Sequence, residues 1–340
     1  MTRFVIFPHL ITRADQRPNP YITDYVRAIN ALPNAEVVNP PHKNPLLSLL
    51  FPSNKGDVYV FNWFESIPDF KYGPLQAFVA ALLLLWLRMR KKKIVWMLHN
   101  KRPHAQGRDW QKRFLARLIA RLSNLIVTHS EEGVRLVERE FPQALGKTHF
   151  LHHPTKCRLR PAEATPPTKE YDLLIWGTIA RYKGVFQFVE YLREHSLGHL
   201  RVCIVGGASD AVYADLEQRI APNVTLIRKR PSFEELADYV ARSEFVLCPY
   251  NPESVLSSGM LMDSLSFGVK VIGPDTGSFR DYAGCPLLRV YTFRSFGDIP
   301  GIVARHSADR ANLEDYRAFL EENDWPHFAK ALYGLLQQIE

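Results

Sequence analysis

An alternation of short apolar strands with amphipathic helices runs the length of this chain, stops once and restarts. Strand-like runs fall at 4–7, 37–39, 58–62, 94–98, 125–128 and 148–151. Between them, 21–31, 74–90, 110–122 and 131–141 carry the three-and-four spacing of helices with one apolar face. Strands separated by helices cannot close as hairpins, so they lie parallel in a sheet covered on both faces. The segment 161–170, with Pro161, Pro166 and Pro167 among small polar residues, sustains neither period and reads as a linker. Beyond it, strands are expected at 172–176, 201–205, 224–228, 245–249, 270–272 and 287–290.

The chain has 340 residues, more than a single core usually covers. The expected fold is therefore α/β, with two Rossmann-like, doubly wound domains at 1–160 and 171–310 facing an interdomain cleft. Residues 311–340 are expected to form helices that return to the N-terminal domain. In such sheets, ligands bind beyond the carboxyl ends of the strands, which directs attention to the residues that follow each strand.

The second half has the richer set. Residues 253–274 read as a loop, a short helix opened by Ser257, Ser258 and Gly259, a stop at Gly268 and a buried strand. Backbone N–H groups at such a helix start, with the positive end of its dipole, favour a phosphate. Asp263 on the same helix suits the hydroxyls of a ribose. After the strand at 172–176 come Gly177, Arg181, Lys183 and Gly184. Arg forks onto phosphate oxygens and Lys adds a point charge beside it. A solvated basic turn is the plainer alternative for that pair. Ser232 and Glu235 form a capping box before a further helix, a structural reason sufficient for both.

Taken together, these segments resemble glycosyltransferases of the GT-B fold, especially family 4 and related bacterial polysaccharide enzymes of the β-mannosyltransferase type. The resemblance is strongest from 172 to 274. It implies that Gly177, Arg181, Lys183, Ser257, Ser258 and Gly259 hold a donor diphosphate and Asp263 the donor ribose. Pro231 and Ser232 would run beside the base. Asp263 stands five residues before Gly268, as in that family, but Glu253 stands ten before Asp263 rather than eight. A donor-sugar contact from Glu253 is a weaker implication for that reason.

In the first half, the strand at 94–98 ends in His99 and Asn100, followed by Pro103 and His104. The resemblance implies a role for His99 or His104 as proton acceptor or sugar ligand, because imidazole exchanges protons near neutrality. Trp63 and Glu65 follow another strand and combine a ring for a sugar's apolar face with a carboxylate for its hydroxyls. A core tryptophan beside a solvated glutamate accounts for them equally. Asn19, Pro20 and Tyr21 open a helix as N-cap and first turn, and the resemblance implies that Asn19 and Tyr21 lie where an acceptor enters.

Composition narrows the remaining choices. The net charge of +8 invites an acidic partner. Nucleic acid is not the expected one, since no recognition-helix, RRM or zinc pattern is present. The four cysteines are scattered, and Cys203 and Cys248 fall in apolar runs as buried reduced thiols, which favours the cytoplasm. The opening apolar run is too short for a signal peptide. No metal-ligand spacing occurs, so neither metal nor cofactor is expected. Residues 74–93 are the most apolar part, yet shorter than a spanning helix requires. Two readings stay open for them: a buried crossover helix with a solvated basic end, or a peripheral anchor on the inner face of a membrane. In the second, Trp86, the cations at 88–93, and Lys112, Arg113, Arg117 and Arg121 meet anionic lipid.

The resulting expectation is metal-independent transfer of a hexose from a GDP- or UDP-sugar to a glycan or lipid-linked acceptor in polysaccharide synthesis, by retention or inversion. A GT-B-like protein that binds a glycan or partner without catalysis is the alternative, with a basic nucleic-acid-binding protein behind it.

Overall fold

The computed structural model describes residues 1–11, 19–49, 55–101, 109–161, 167–253 and 255–339. The chain divides into two compact units, Met1–Pro154 with Asn323–Glu340, and Thr155–Glu322.

The strands of the first unit are β1 (Thr2–Phe7), β2 (Ala35–Val37), β3 (Val58–Asn62), β4 (Lys93–Leu98), β5 (Leu125–Thr128) and β6 (Thr148–Phe150). Its helices are α1 (Pro20–Asn30), α2 (Pro45–Ser48), α3 (Gly73–Met89), α4 (Asp109–Leu122) and α5 (Glu131–Glu140). The sheet is parallel, in the order β2-β1-β3-β4-β5-β6, so the direction of winding reverses between β1 and β3. The central strand β3 is buried along its whole length and β4 from Ile94 onwards, as expected of a sheet covered on both faces.

The second unit contains β7 (Tyr171–Trp176), β8 (Val202–Gly206), β9 (Val224–Arg228), β10 (Ser243–Leu247), β11 (Lys270–Pro274) and β12 (Val290–Phe293). Between and after them come α6 (Val185–Glu194), α7 (Asp210–Glu217), α8 (Phe233–Ala241), α9 (Gly259–Leu265), α10 (Gly277–Ala283), α11 (Ile299–His306) and α12 (Leu313–Glu322). The order β12-β11-β10-β7-β8-β9 is again parallel, and winding reverses between β7 and β10. The last helix, α13 (Trp325–Gln337), belongs to the first unit.

The alternation read from the sequence reappears strand for strand, with β2 and β10 each two residues nearer the N-terminus than expected and three larger differences. The final strand starts at Val290 rather than at 287, because Pro286 lacks an N–H and the Leu288 amide turns back onto the Cys285 carbonyl (3.2 Å). The chain changes units at Pro154, ahead of the proline-rich stretch. Thr155 and Arg158 already bond Asp263, and Arg160 bonds Asp238. Finally, α12 does not return to the first unit: Tyr316, Phe319 and Leu320 pack in the core beneath β7, β10 and β11. Only α13 returns, burying Trp325, Phe328 and Leu332 against Tyr25 of α1 and against Val95 and Met97 of β4.

Helix α3 buries Ala77, Ala80, Leu83, Leu84 and Leu87 and leaves its other side in solvent. Among the described residues no helix is long and apolar enough to cross a membrane. Lys112, expected among the lipid-facing cations, is buried and ion-paired with Asp69 at 2.8 Å.

Candidate functional site

In the second unit the chain leaves β7 through Gly177, whose φ of +100° is readily reached only by glycine. It then makes a short turn at Arg181–Lys183 and enters α6 through Gly184, at φ +76°. A Cβ on Gly184 would stand 1.7 Å from the Pro249 carbonyl oxygen. The turn is thus pressed against the segment leaving β10, and this contact carries Lys183 inward. Its Nζ lies 4.0 Å from where a Gly177 Cβ would be and 6.0 Å from the centre of the Tyr250 ring. The Tyr250 hydroxyl in turn meets the Ser258 Oγ at 3.4 Å. Ser258 caps α9, accepting from the Leu261 amide at 3.2 Å.

Gly177, Lys183, Tyr250 and Ser258 therefore meet beyond the carboxyl ends of β7 and β10, where the winding reverses and ligands of doubly wound sheets bind. Burial lowers the Lys183 pKa. Among the described residues, its ammonium has neither a carboxylate nor a hydrogen-bond acceptor. A mostly buried cation with no counter-charge is costly to maintain and suits an anion.

Gly184→Ala tests the close approach. The left-handed backbone and the Pro249 contact together are expected to lower unfolding free energy by about 2–4 kcal/mol, read from the denaturant midpoint. An unchanged midpoint would show that the turn does not press on Pro249.

The other donor-side residues are engaged elsewhere. Arg181 is largely exposed; its guanidinium bonds the Asp215 carboxylate and lies 4.8 Å over the Phe186 ring. Asp263 Oδ1 accepts from Thr155 Oγ1 at 2.9 Å and from Arg158 Nη1 at 3.1 Å. The Arg158 guanidinium is itself stacked 3.8 Å over Phe233. Glu253 is an exposed turn residue whose amide donates to Asn251 Oδ1 at 2.9 Å. Ser257 and Gly259 are partly exposed at the start of α9. Ser232 forms the expected capping box with Glu235, next to the partly exposed Pro231. Tyr250 escaped sequence reasoning, although its place just past the apolar run ending at Cys248 marked it.

The first unit gathers a second cluster at the carboxyl ends of its strands. His99, directly after β4, stacks on Trp63 (4.6 Å, 22°) and meets Tyr21 edge-on at 5.1 Å. Trp63 itself sits in the left-handed region, φ 50°, just after β3. Asn62 Nδ2 donates to the Phe7 carbonyl at 2.9 Å, which fixes its amide so that Oδ1 accepts from His99 Nε2 at 3.0 Å. The proton of His99 is thus on Nε2, and the Nδ1 lone pair has no donor among the described residues. His129 Nδ1 donates to the Leu151 carbonyl at 2.9 Å, so its Nε2 accepts from the Tyr21 hydroxyl at 3.1 Å. His153 lies 5.0 Å from His129 and 5.1 Å from Tyr21, ring to ring.

Burial, reinforced by the neighbouring His153, pushes the His99 imidazole down to about 3. Burial, partly offset by hydrogen bonds to the backbone, takes His153 to about 4. Burial and the adjacent histidines hold His129 well below the usual range. All three are neutral at physiological pH. Asn19 is the exposed N-cap of α1, accepting from the Tyr21 amide at 3.1 Å, while Tyr21 points into the cluster.

Glu65 parts company with Trp63. It is buried beside the Trp96 indole, and Trp96 alternates along β4 with the Val95 and Met97 that face α1 and α13. Burial pushes its carboxyl up to about 7, against the opposing influence of its own backbone N–H and the nearby Trp96 indole, and neither oxygen reaches hydrogen-bonding geometry with a described residue. The expected pairing of ring and carboxylate around one sugar is therefore absent. His104 lies outside the described residues. His129 and His153 were missed in the sequence, although His99, His129 and His153 all closely follow successive strands.

No family model matches this chain, and no curated protein sequence matches it. Solved structures do. Sucrose-phosphate synthase from Thermosynechococcus elongatus is 12% identical with a TM-score of 0.70, over 99% of both chains. HepE of Anabaena in complex with UDP and glucose is 11% identical with a TM-score of 0.65, over 99% of this chain and all of the other. AviGT4, a glycosyltransferase involved in avilamycin A biosynthesis, is 14% identical with a TM-score of 0.60, over 100% of this chain and 98% of that one. With two six-stranded parallel sheets wound in this way, the chain has the GT-B fold of these glycosyltransferases.

Proposed function

We propose that this protein is a glycosyltransferase that moves a hexosyl group from a GDP- or UDP-sugar to a glycan or lipid-linked oligosaccharide in the building of a cell-surface polysaccharide. The observation that carries the reading is Lys183: a mostly buried ammonium without a counter-ion, against Gly177 and Tyr250, where the second sheet reverses its winding. UDP in the complex of the similarly folded HepE supports a nucleotide donor.

In this reading the bond between the anomeric carbon and the diphosphate breaks, and its electron pair leaves with the diphosphate. Lys183 and the amide groups beginning α9 stabilise the charge that develops there, in a preorganised and poorly hydrated setting. The acceptor hydroxyl forms the new bond at the anomeric carbon, and its proton passes to an oxygen of the departing diphosphate. His99 is held too acidic to be an efficient base at neutral pH. It therefore serves as a neutral hydrogen-bond acceptor, through Nδ1, for a sugar hydroxyl. With the acceptor's proton passing to the diphosphate, transfer needs no dedicated enzymic base and corresponds to retention; inversion would instead need His104 as the base.

Thermal denaturation with UDP, GDP and a panel of their sugars tests the donor assignment. One nucleotide at a hundredfold excess over its Kd is expected to add about 2.7 kcal/mol of stability. If no nucleotide raises the melting temperature, the donor reading fails. Stabilisation without turnover against any glycan acceptor would instead identify a non-catalytic binder.

A further inference from the structure

The solvent side of α3 is not polar. Leu75, Phe78, Leu82, Leu85, Trp86 and Met89 are 44–74% exposed. Their spacing puts them on one stripe of the helix, about 21 Å long at 1.5 Å per residue. Contiguous exposed apolar surface of this kind marks an interaction site. Helix α4, which packs along α3, adds Trp110 at 71% and Phe114 at 51% exposure. Arg113, Arg117 and Arg121 share that exposed side of α4. Trp110, Arg113, Phe114 and Arg117 wall a shallow depression of about 460 Å³.

Apart from Asp109 at the start of α4, the charges are of one sign. Arg88, Arg90 and Lys91 are exposed at the end of α3, and among the described residues neither they nor the three arginines of α4 form an ion pair. No acidic residue lies on α3, and Asp109 is the only one on α4. The neighbouring cations are committed inside the fold: Lys92 to Asp57, Lys93 to the Leu336 and Ile339 carbonyls, and Lys112 to Asp69.

We propose that the α3–α4 face docks this protein on the surface of an anionic phospholipid bilayer. The leucines, Phe78, Phe114 and the tryptophans enter the boundary between headgroups and acyl chains, and the six cations meet headgroup phosphates. Charge complementarity selects this occupant. A second copy meeting this face across a twofold axis would bring the same cations together. Nucleic acid would engage the arginines and leave the leucines in water. The inference goes beyond sugar transfer and needs no activity for its test, so each can fail alone.

The experiment is sedimentation of the full chain with vesicles of phosphatidylcholine, with and without about one-third phosphatidylglycerol. Binding is expected only to the anionic vesicles. Arg113→Ala with Arg117→Ala should lower the partition coefficient about thirtyfold, each cation near the surface accounting for roughly fivefold. Phe78→Ser with Leu82→Ser should lower it at least about tenfold at an unchanged melting temperature. Equal binding to both vesicle types, binding to neither, or parental binding by both variants overturns the proposal. So does a concentration-dependent dimer abolished by the Phe78 and Leu82 substitutions, or duplex DNA that binds and displaces the vesicles.

Discussion

Lys183→Ala is expected to lower turnover with a nucleotide-diphosphate sugar about 10²–10³-fold, the usual cost of removing one group that stabilises a developing oxyanion. The same variant should melt no lower than the parent when no nucleotide is present. Its ammonium is mostly buried, without a counter-ion, and burial alone already lowers its pKa. Deleting it relieves a desolvation cost that the fold otherwise carries. The two effects together separate a ligand-binding cation from a structural one. Stabilisation by nucleotide should shrink in the variant as turnover does. Arg181→Ala serves as the contrast, since its guanidinium is exposed and already paired with Asp215, so its loss should cost less. Equal nucleotide stabilisation in parent and Lys183→Ala would remove Lys183 from the donor site.

Acid is expected to weaken the fold steeply, with unfolding free energy falling on the order of 3 kcal/mol from pH 7 to pH 5. His99, His129 and His153 are held neutral in the folded chain, at about 3, well below the usual range and about 4 respectively. In the unfolded chain they take up protons near 6.5. Below that value the unfolded state binds more protons, so stability is lost as pH falls towards the folded values. Glu65 works in the opposite direction between its unfolded value and about 7, because the folded state keeps its proton longer. It cancels roughly one of the three histidine protons in that window. Glu65→Gln should therefore steepen the acid loss, and His129→Gln should flatten it. Denaturant titrations at several pH values check both signs. Stability that is flat from pH 7 to pH 5 would mean that the three imidazoles are hydrated and free to protonate.

Both results depend on residues that follow strands, and here the limits of the linear pattern are plain. The run of apolar residues at 58–62, 94–98 and 125–128 has one stable solution in water, a central strand covered on both faces, so the order of elements was readable before any coordinates. The capping box at Ser232 was readable for the same local reason, since first-turn amides depend on near neighbours. The choice of which side chains meet was not local. Asp263 looked free to bind a ribose, yet Thr155 and Arg158, more than a hundred residues away, reach its carboxylate. Glu65 stood two residues from Trp63 and was buried away from it, because the turn after β3 sends one ring to His99 and the carboxyl towards Trp96.

The sequence by itself determined two parallel α/β sheets and the places just beyond their strands where chemistry gathers, since hydrophobic period and turn propensity act over a few residues. Only the tertiary structure decided that Lys183 lies by Tyr250, whose hydroxyl meets Ser258, that three histidines from successive strand ends surround Tyr21, and that α12 remains with the second unit. Those outcomes depend on strand order, and strand order is set by packing between segments far apart in the chain.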